Sequence, residues 1–214
     1  MRSVLKAVQN LQGRFRAGRM RDFLKEFRID GARVLDVGGT PDIWLTVRKQ
    51  AKVFLLNMPR ARDEAWTPDL TYLEGDGCSL PFPDQSFDIV FSNSVIEHVG
   101  SEEAQERFAR EVARVGKGYW VQTPNRYFPI EAHLFTPFIH FLPKRLAFLI
   151  AERLTVWALV YRPGQPEKRW YLNHVLREVR LCSKGDFRKL FPDATVRKER
   201  FCFFTKSLIA VKHT

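Results

Sequence analysis

Val34-Leu35-Asp36-Val37-Gly38-Gly39-Thr40-Pro41 reads as a buried strand running straight into a tight turn. The glycine pair lets the chain bend sharply and lets another molecule approach the backbone closely. Pro41 suits the first turn of a helix, expected over residues 41–50, whose free N–H groups would lie just beyond the strand. Working outward, short apolar runs at residues 52–56, 70–73, 87–91 and 119–122 predict further strands. Ser101, with Glu102 and Glu103 behind it, opens a helix that runs to about Val115 and stops at Gly116. Upstream, Met20, Phe23, Leu24 and Phe27 fall at helical spacing in an amphipathic segment, residues 14–29, closed by Gly31. Downstream, Ser183-Lys184-Gly185-Asp186 has the form of a capping box before residues 187–191, and residues 196–200 and 203–211 supply two closing, antiparallel strands.

Strands alternating with helices at this spacing predict an α/β fold: a Rossmann-like, doubly wound, mostly parallel seven-stranded sheet, with an α-helical insertion after strand five. The 214 residues, 45% hydrophobic, suit one domain able to bury its core without disulfides or metal. The expected division is a basic helical extension, residues 1–30, and a domain over residues 31–214 carrying an apolar insertion at about 124–182. The formal net charge of +11 favours an anionic partner: nucleic acid, an acidic membrane surface or an acidic substrate. Cys78, Cys182 and Cys202 are widely spaced and odd in number, which argues against a disulfide framework or zinc site and for a reducing compartment. Lys6, Gln9, Asn10 and Gln12 interrupt any signal-like apolar run. A cytoplasmic protein is expected, with peripheral contact at the inner face of a membrane left open.

The insertion is strongly apolar and aromatic over residues 134–161, yet charges break it before it reaches the roughly 18 residues of a membrane span. If residues 144–160 form one helix, Lys144, Arg145, Glu152 and Arg153 share a narrow face and the rest is greasy. A lid, a dimer interface and a membrane contact are all compatible with that pattern.

The dinucleotide fingerprint G-x-G-x-x-G is absent. The turn instead resembles the first motif of class I S-adenosylmethionine-dependent methyltransferases, of the methyltransferase type 11-like family. Asp36 and Gly38 match that pattern, while Thr40 and Asp42 stand where further glycines usually fall. The resemblance implies S-adenosylmethionine as cofactor, with Asp36, Gly38, Gly39 and Thr40 at its methionine end. Asn57, ending the second strand, can accept a ribose hydroxyl bond through its amide oxygen. The run from Glu74 to Ser92 resembles the family's segment from the end of strand three through strand four. It implies that Asp76 accepts from the adenine amino group and that Gly77 and Cys78 cover the ring.

Asn93-Ser94-Val95-Ile96-Glu97-His98-Val99 resembles the family's "V-L-E-H-V" segment beside the transferred methyl group. Asn93 would lie near the methionine amine, and His98 would act as general base or hold the loop. One small-RNA methyltransferase family holds a metal with Glu-x-x-Glu-His; Ser94 replaces the first Glu, so no metal site is expected. Tyr127, Glu131 and His133, after strand five, would orient the acceptor or take its proton. The expected function is methyl transfer to a small-molecule or lipid-like acceptor. A non-catalytic cofactor-binding or membrane-surface module and an RNA methyltransferase are the alternatives, nucleic acid being open but not favoured. The oligomeric state, the acceptor and the atom methylated are not legible.

Overall fold

The structure is a computed structural model that describes residues 2–45, 47, 50–59, 69–161 and 163–214. Helix α1 (Arg2–Glu26) leads through Gly31, at φ 72°, into β1 (Arg33–Val37), followed by the single turn of α2 (Pro41–Trp44). Next come β2 (Lys52–Asn57), β3 (Leu70–Glu74), β4 (Phe87–Asn93), a 3-10 turn at Ile96–His98, α3 (Glu102–Val115) and β5 (Gly116–Pro124). The segment after β5 carries a two-stranded hairpin, β6 (Ile130–Glu131) and β7 (Thr136–Pro137), then α4 (Lys144–Leu154), α5 (Val156–Tyr161), α6 (Gln165–Asn173) and one π-helical turn, His174–Glu178. Helix α7 (Lys184–Leu190), β8 (Thr195–Phe201) and β9 (Phe204–Lys212) close the chain.

The main sheet has seven strands in the order β3-β2-β1-β4-β5-β9-β8. Strands β1 to β5 pair in parallel, and β9 runs antiparallel to both β5 and β8. This is the Rossmann-like doubly wound sheet that the sequence predicts. The winding reverses between β1 and β4, and in such sheets a crevice opens there beyond the carboxyl ends of the strands.

One face of the sheet is covered by α3 and α7, with Phe108, Val112, Phe187 and Phe191 packed on Leu35 and Val90. The other is covered by α1 and α2. Phe23 of α1 meets Trp44, Phe91 and Trp120 edge-on, at ring-centroid distances of 6.0, 5.0 and 5.9 Å. Met20, Phe23 and Phe27 therefore share the sheet's core. Their helical spacing was legible, but the helix starts at Arg2 and ends at Glu26 instead of spanning residues 14–29. The insertion builds a small core of its own around Leu134, Ile139, Ala151, Trp157 and Leu172.

Other expected boundaries move as well. Helix α2 ends at Trp44, and residues 46, 48 and 49 of the expected longer helix lie outside the described residues. Strand β5 starts at Gly116, where it pairs with Phe87 of β4, and reaches Pro124, where it pairs with β9. The single helix expected over residues 144–160 breaks at Thr155, whose backbone is extended. Its Oγ1 accepts the Ala158 N–H at 3.1 Å, and Thr136 Oγ1 accepts the Val156 N–H at 3.2 Å, so α5 starts with its first donors satisfied. Among the described residues no helix is long and apolar enough to cross a membrane.

Candidate active site

The Gly38–Thr40 turn is held from beneath by Asp36 and from the side by Asn57. Asp36 is fully buried at the end of β1, and its Oδ2 accepts the Trp44 indole N–H at 2.7 Å. Asn57 Nδ2 donates to the Gly39 carbonyl at 2.9 Å, which leaves its amide oxygen facing away from the turn's own bonding. Gly38 sits at φ 76°, and a Cβ there would come within 2.4 Å of Val95. A Cβ on Gly39 would lie 1.8 Å from Asp36 Oδ2. Both glycines are thus needed for the turn's shape.

Burial pushes the Asp36 carboxyl up to about 7, against the Trp44 hydrogen bond and helped by the charge of Asp42. The sign follows from that. The charged form is disfavoured in the fold, so the stability from this group is complete below its ordinary value near 3.8 and is lost as pH rises through about 7. Urea unfolding at pH 5 and pH 8 should show wild type losing roughly 2–3 kcal/mol more than Asp36→Asn over that range. Equal losses would contradict this assignment.

Asp76, Gly77 and Cys78 follow β3 at the same edge of the sheet, in register with Asn57 through its pairing with Glu74. Asp76 Oδ1 accepts the Cys78 N–H at 2.8 Å, closing its own turn with one carboxylate oxygen. Gly77 is pressed on Phe108 and Val37, where a Cβ would stand 2.9 Å from each. The Cys78 thiol points inward to the Ala104 carbonyl at 3.4 Å, and burial and Asp76 push it up to about 11.

A cavity of about 580 Å³ opens beside the turn. Gly38, Gly39, Thr40, Asn93, His98 and His133 line it, together with apolar groups from α1 and the insertion. The structure does not bring Tyr127 to it: that side chain is 64% exposed, and its neighbour Phe128 faces the cavity instead. The tight turn closed by Phe128 N–H on the Asn125 carbonyl, at 2.9 Å, sends the two rings to opposite sides. Asn57, Asp76, Gly77 and Cys78 are not among the cavity's walls, so its contact with the expected cofactor residues is at the methionine end.

The two expected histidines meet. His133 Nε2 lies 3.2 Å from His98 Nε2, and His133 Nδ1 lies 2.8 Å from Glu131 Oε1. Glu131, 3% exposed, also accepts the backbone N–H groups of His133 and Leu134, so it orients the imidazole instead of facing an acceptor. Burial opposes charge on both partners, but their mutual attraction wins: Glu131 is held below and His133 above its ordinary value. Burial and the neighbouring His133 and His174 pull His98 down to about 4, so its ring is neutral.

Three contributors were missed in the sequence. His174 Nε2 stacks beside His98 at 3.3 Å from its Nδ1, and nothing local marks it, since 76 residues separate them. Glu97 is fully buried against His98 and His133; it stands inside the quoted motif but was not singled out. Arg19 of α1 is 7% exposed, and its Nη1 donates to the side-chain oxygens of Asn93 and Gln122. Its Nε lies 3.1 Å from Glu199, and burial lowers its pKa against the pull of that carboxylate. The only sequence signal for Arg19 was a basic residue on an apolar helix face.

Residues 45–118 match the methyltransferase domain family. No curated protein matches the chain. Among solved structures, magnesium protoporphyrin IX methyltransferase from Synechocystis with bound SAH is 15% identical at a TM-score of 0.58, over 98% of this chain and 87% of that one. A SAM-dependent methyltransferase from Methanosarcina mazei is 15% identical at 0.53, over 90% and 97%. The YcgJ protein from Bacillus subtilis is 18% identical at 0.54, over 86% and 70%. Likeness at these identities carries the fold, and the family match carries the chemistry. Residues 45–118 thus carry a likeness to S-adenosylmethionine-dependent methyltransferases, with S-adenosylmethionine as the cofactor that this likeness implies. The bare backbone of the double-glycine turn, open to the cavity and with no room for a Cβ, fits the close approach that cofactor needs.

Proposed function

We propose that this chain transfers a methyl group to a small or lipid-like acceptor held in the 580 Å³ cavity, and that the insertion rests on an anionic membrane surface from which such an acceptor enters. One observation carries the reading. A single cavity is walled by the Gly38–Thr40 turn at one end and by Phe128, Ile130, Phe135 and Val156 at the other, with His98 and His133 alongside. Its size and apolar lining with a few convergent polar groups are those of a small-molecule site.

The bound cofactor supplies an electrophilic methyl on its sulfonium. The turn and Asn93 hold its methionine end, Asn57 the ribose, and Asp76 with Gly77 and Cys78 the adenine. The insertion's aromatic wall positions the acceptor in line and excludes water. His98 and His133, the latter oriented by Glu131, form the polar wall beside the acceptor's reacting atom.

The membrane contact is supported by exposed Phe138, Leu149, Leu154 and Leu159 on the insertion, beside exposed Lys144, Arg145 and Arg153. Broad apolar coverage next to basic residues suits an interfacial segment, and the net charge of +11 suits anionic lipid. In this reading the protein is cytoplasmic and peripheral.

The test is incubation with methyl-labelled cofactor and separated lipid, small-molecule and RNA fractions of a cell extract. Label is expected in the lipid or small-molecule pool; label in RNA alone would replace this reading with the nucleic-acid one. Asp76→Ala should lose S-adenosylhomocysteine binding by calorimetry, and unchanged affinity would remove the adenine assignment. Sedimentation with phosphatidylglycerol vesicles at low salt should carry the protein down, and neutral vesicles should not. No binding to either would remove the membrane contact.

A further inference from the structure

The hydrogen bonds around the two cavity histidines determine where their protons sit. Glu131 accepts from His133 Nδ1, so the neutral ring presents a bare lone pair at Nε2. At the other end Glu178 Oε2 accepts a hydrogen bond from His174 Nδ1 at 2.7 Å. His174 Nε2 is then an acceptor and holds the Nδ1 proton of His98, which leaves His98 Nε2 bare as well. With both rings neutral, two lone pairs face each other across 3.2 Å, an arrangement that repels unless a cation, either a shared proton or a metal ion, sits between them.

Glu97 adds a third ligand. Thr123 Oγ1 donates to Oε2 at 3.0 Å, while Oε1 is buried with no hydrogen-bond partner among the described residues. One ligand atom from each of Glu97, His98 and His133 lies within 4.8 Å of the others. A proton shared by the two rings would leave Glu97 Oε1 unsatisfied, at a substantial cost for a fully buried carboxylate. An ion with bonds of about 2.1 Å would satisfy all three, because tetrahedral ligands then stand about 3.4 Å apart. Each imidazole also has its far nitrogen held, His133 by a carboxylate and His98 by His174, as metal-ligating histidines usually do. The π-helical turn that starts at His174 is the local distortion that delivers this support.

We propose that Glu97, His98 and His133 bind one divalent transition-metal ion of the zinc or cobalt kind, with its remaining positions open to the cavity. Two imidazoles and a carboxylate favour such borderline ions over calcium or magnesium. The expectation of no metal looked for a second carboxylate at Ser94; the third ligand comes instead from His133, 35 residues beyond His98. A role in lowering the pKa of an acceptor oxygen rests on the proposed methyl transfer; the metal site itself does not.

The test uses the full chain, stripped with a chelator and free of cofactor. Titration with zinc chloride should bind one ion per chain and raise the melting temperature. Glu97→Gln, His98→Gln and His133→Gln should each weaken binding by at least 100-fold, and Glu131→Gln by about 10- to 100-fold. His213→Gln, at the exposed C-terminal end, should bind as wild type does. Cobalt in the unaltered protein should give the intense visible bands of a four- or five-coordinate ion, which needs no variant to fold. Absence of zinc binding, wild-type affinity in Glu97→Gln or His133→Gln, or the weak bands of hydrated cobalt would each overturn the site. No step reads methyl transfer, so failure of that reaction and failure of the metal site remain separate results.

Discussion

Gly39→Ala is expected to weaken S-adenosylhomocysteine binding by at least 100-fold, about 2.7 kcal/mol, in a protein that still folds. The added methyl would stand 1.8 Å from Asp36 Oδ2 and 2.1 Å from its Cγ. The carboxylate cannot step aside cheaply, because it is buried and tied to the Trp44 indole at 2.7 Å. Neither can the turn, because Asn57 holds the Gly39 carbonyl at 2.9 Å. Relief therefore swings the turn out of the shape that opens onto the cavity, and overpacking of this kind costs about 1–3 kcal/mol of stability as well. Asp36→Ala in the same chain makes room for the methyl. The double variant should be more stable than the sum of the single changes allows, which a double-mutant cycle in urea measures. Wild-type affinity in Gly39→Ala would show that the cofactor does not approach this backbone.

Arg19→Ala is expected to cost about 3 kcal/mol in urea unfolding and to weaken cofactor binding along with it. The guanidinium ties α1 to Asn93 of β4, Gln122 of β5 and Glu199 of β8, all from a position 7% exposed. Its removal leaves a void in the cavity wall and an unpartnered Asn93 oxygen. The cost stays at the low end for a broken buried ion pair, because Lys206 remains 3.2 Å from Glu199 and Ser94 Oγ still donates to Gln122 at 2.9 Å. Arg19→Lys should recover little, since one ammonium cannot span the fork that a guanidinium fills. If Arg19→Ala unfolds like wild type, α1 is only a cover for the sheet and takes no part in the site.

The features legible in the sequence are those set by neighbours along the chain. The Val34–Val37 run and its glycines, the Ser101 cap and the Ser183–Asp186 capping box each depend on a few adjacent residues, and each forms as read. The break at Thr155 was hidden because the hydroxyl that helps start α5 belongs to Thr136, from another element. Tyr127 and Phe128 were indistinguishable until the turn around Asn125 assigned them opposite sides. The histidine pair was named residue by residue, but its meeting depends on the hairpin after β5 folding back on the loop after β4.

The sequence alone determined the α/β class, the seven strands and the glycine turn at the sheet's carboxyl edge, because apolar period, glycine and cap chemistry act over one or two turns of chain. Only the tertiary structure decided what stands around that turn. Arg19 reaches Asn93 across 74 residues, and His174 supports His98 across 76. Contacts of that span leave no periodic trace, since either partner taken alone is an ordinary charged or polar residue.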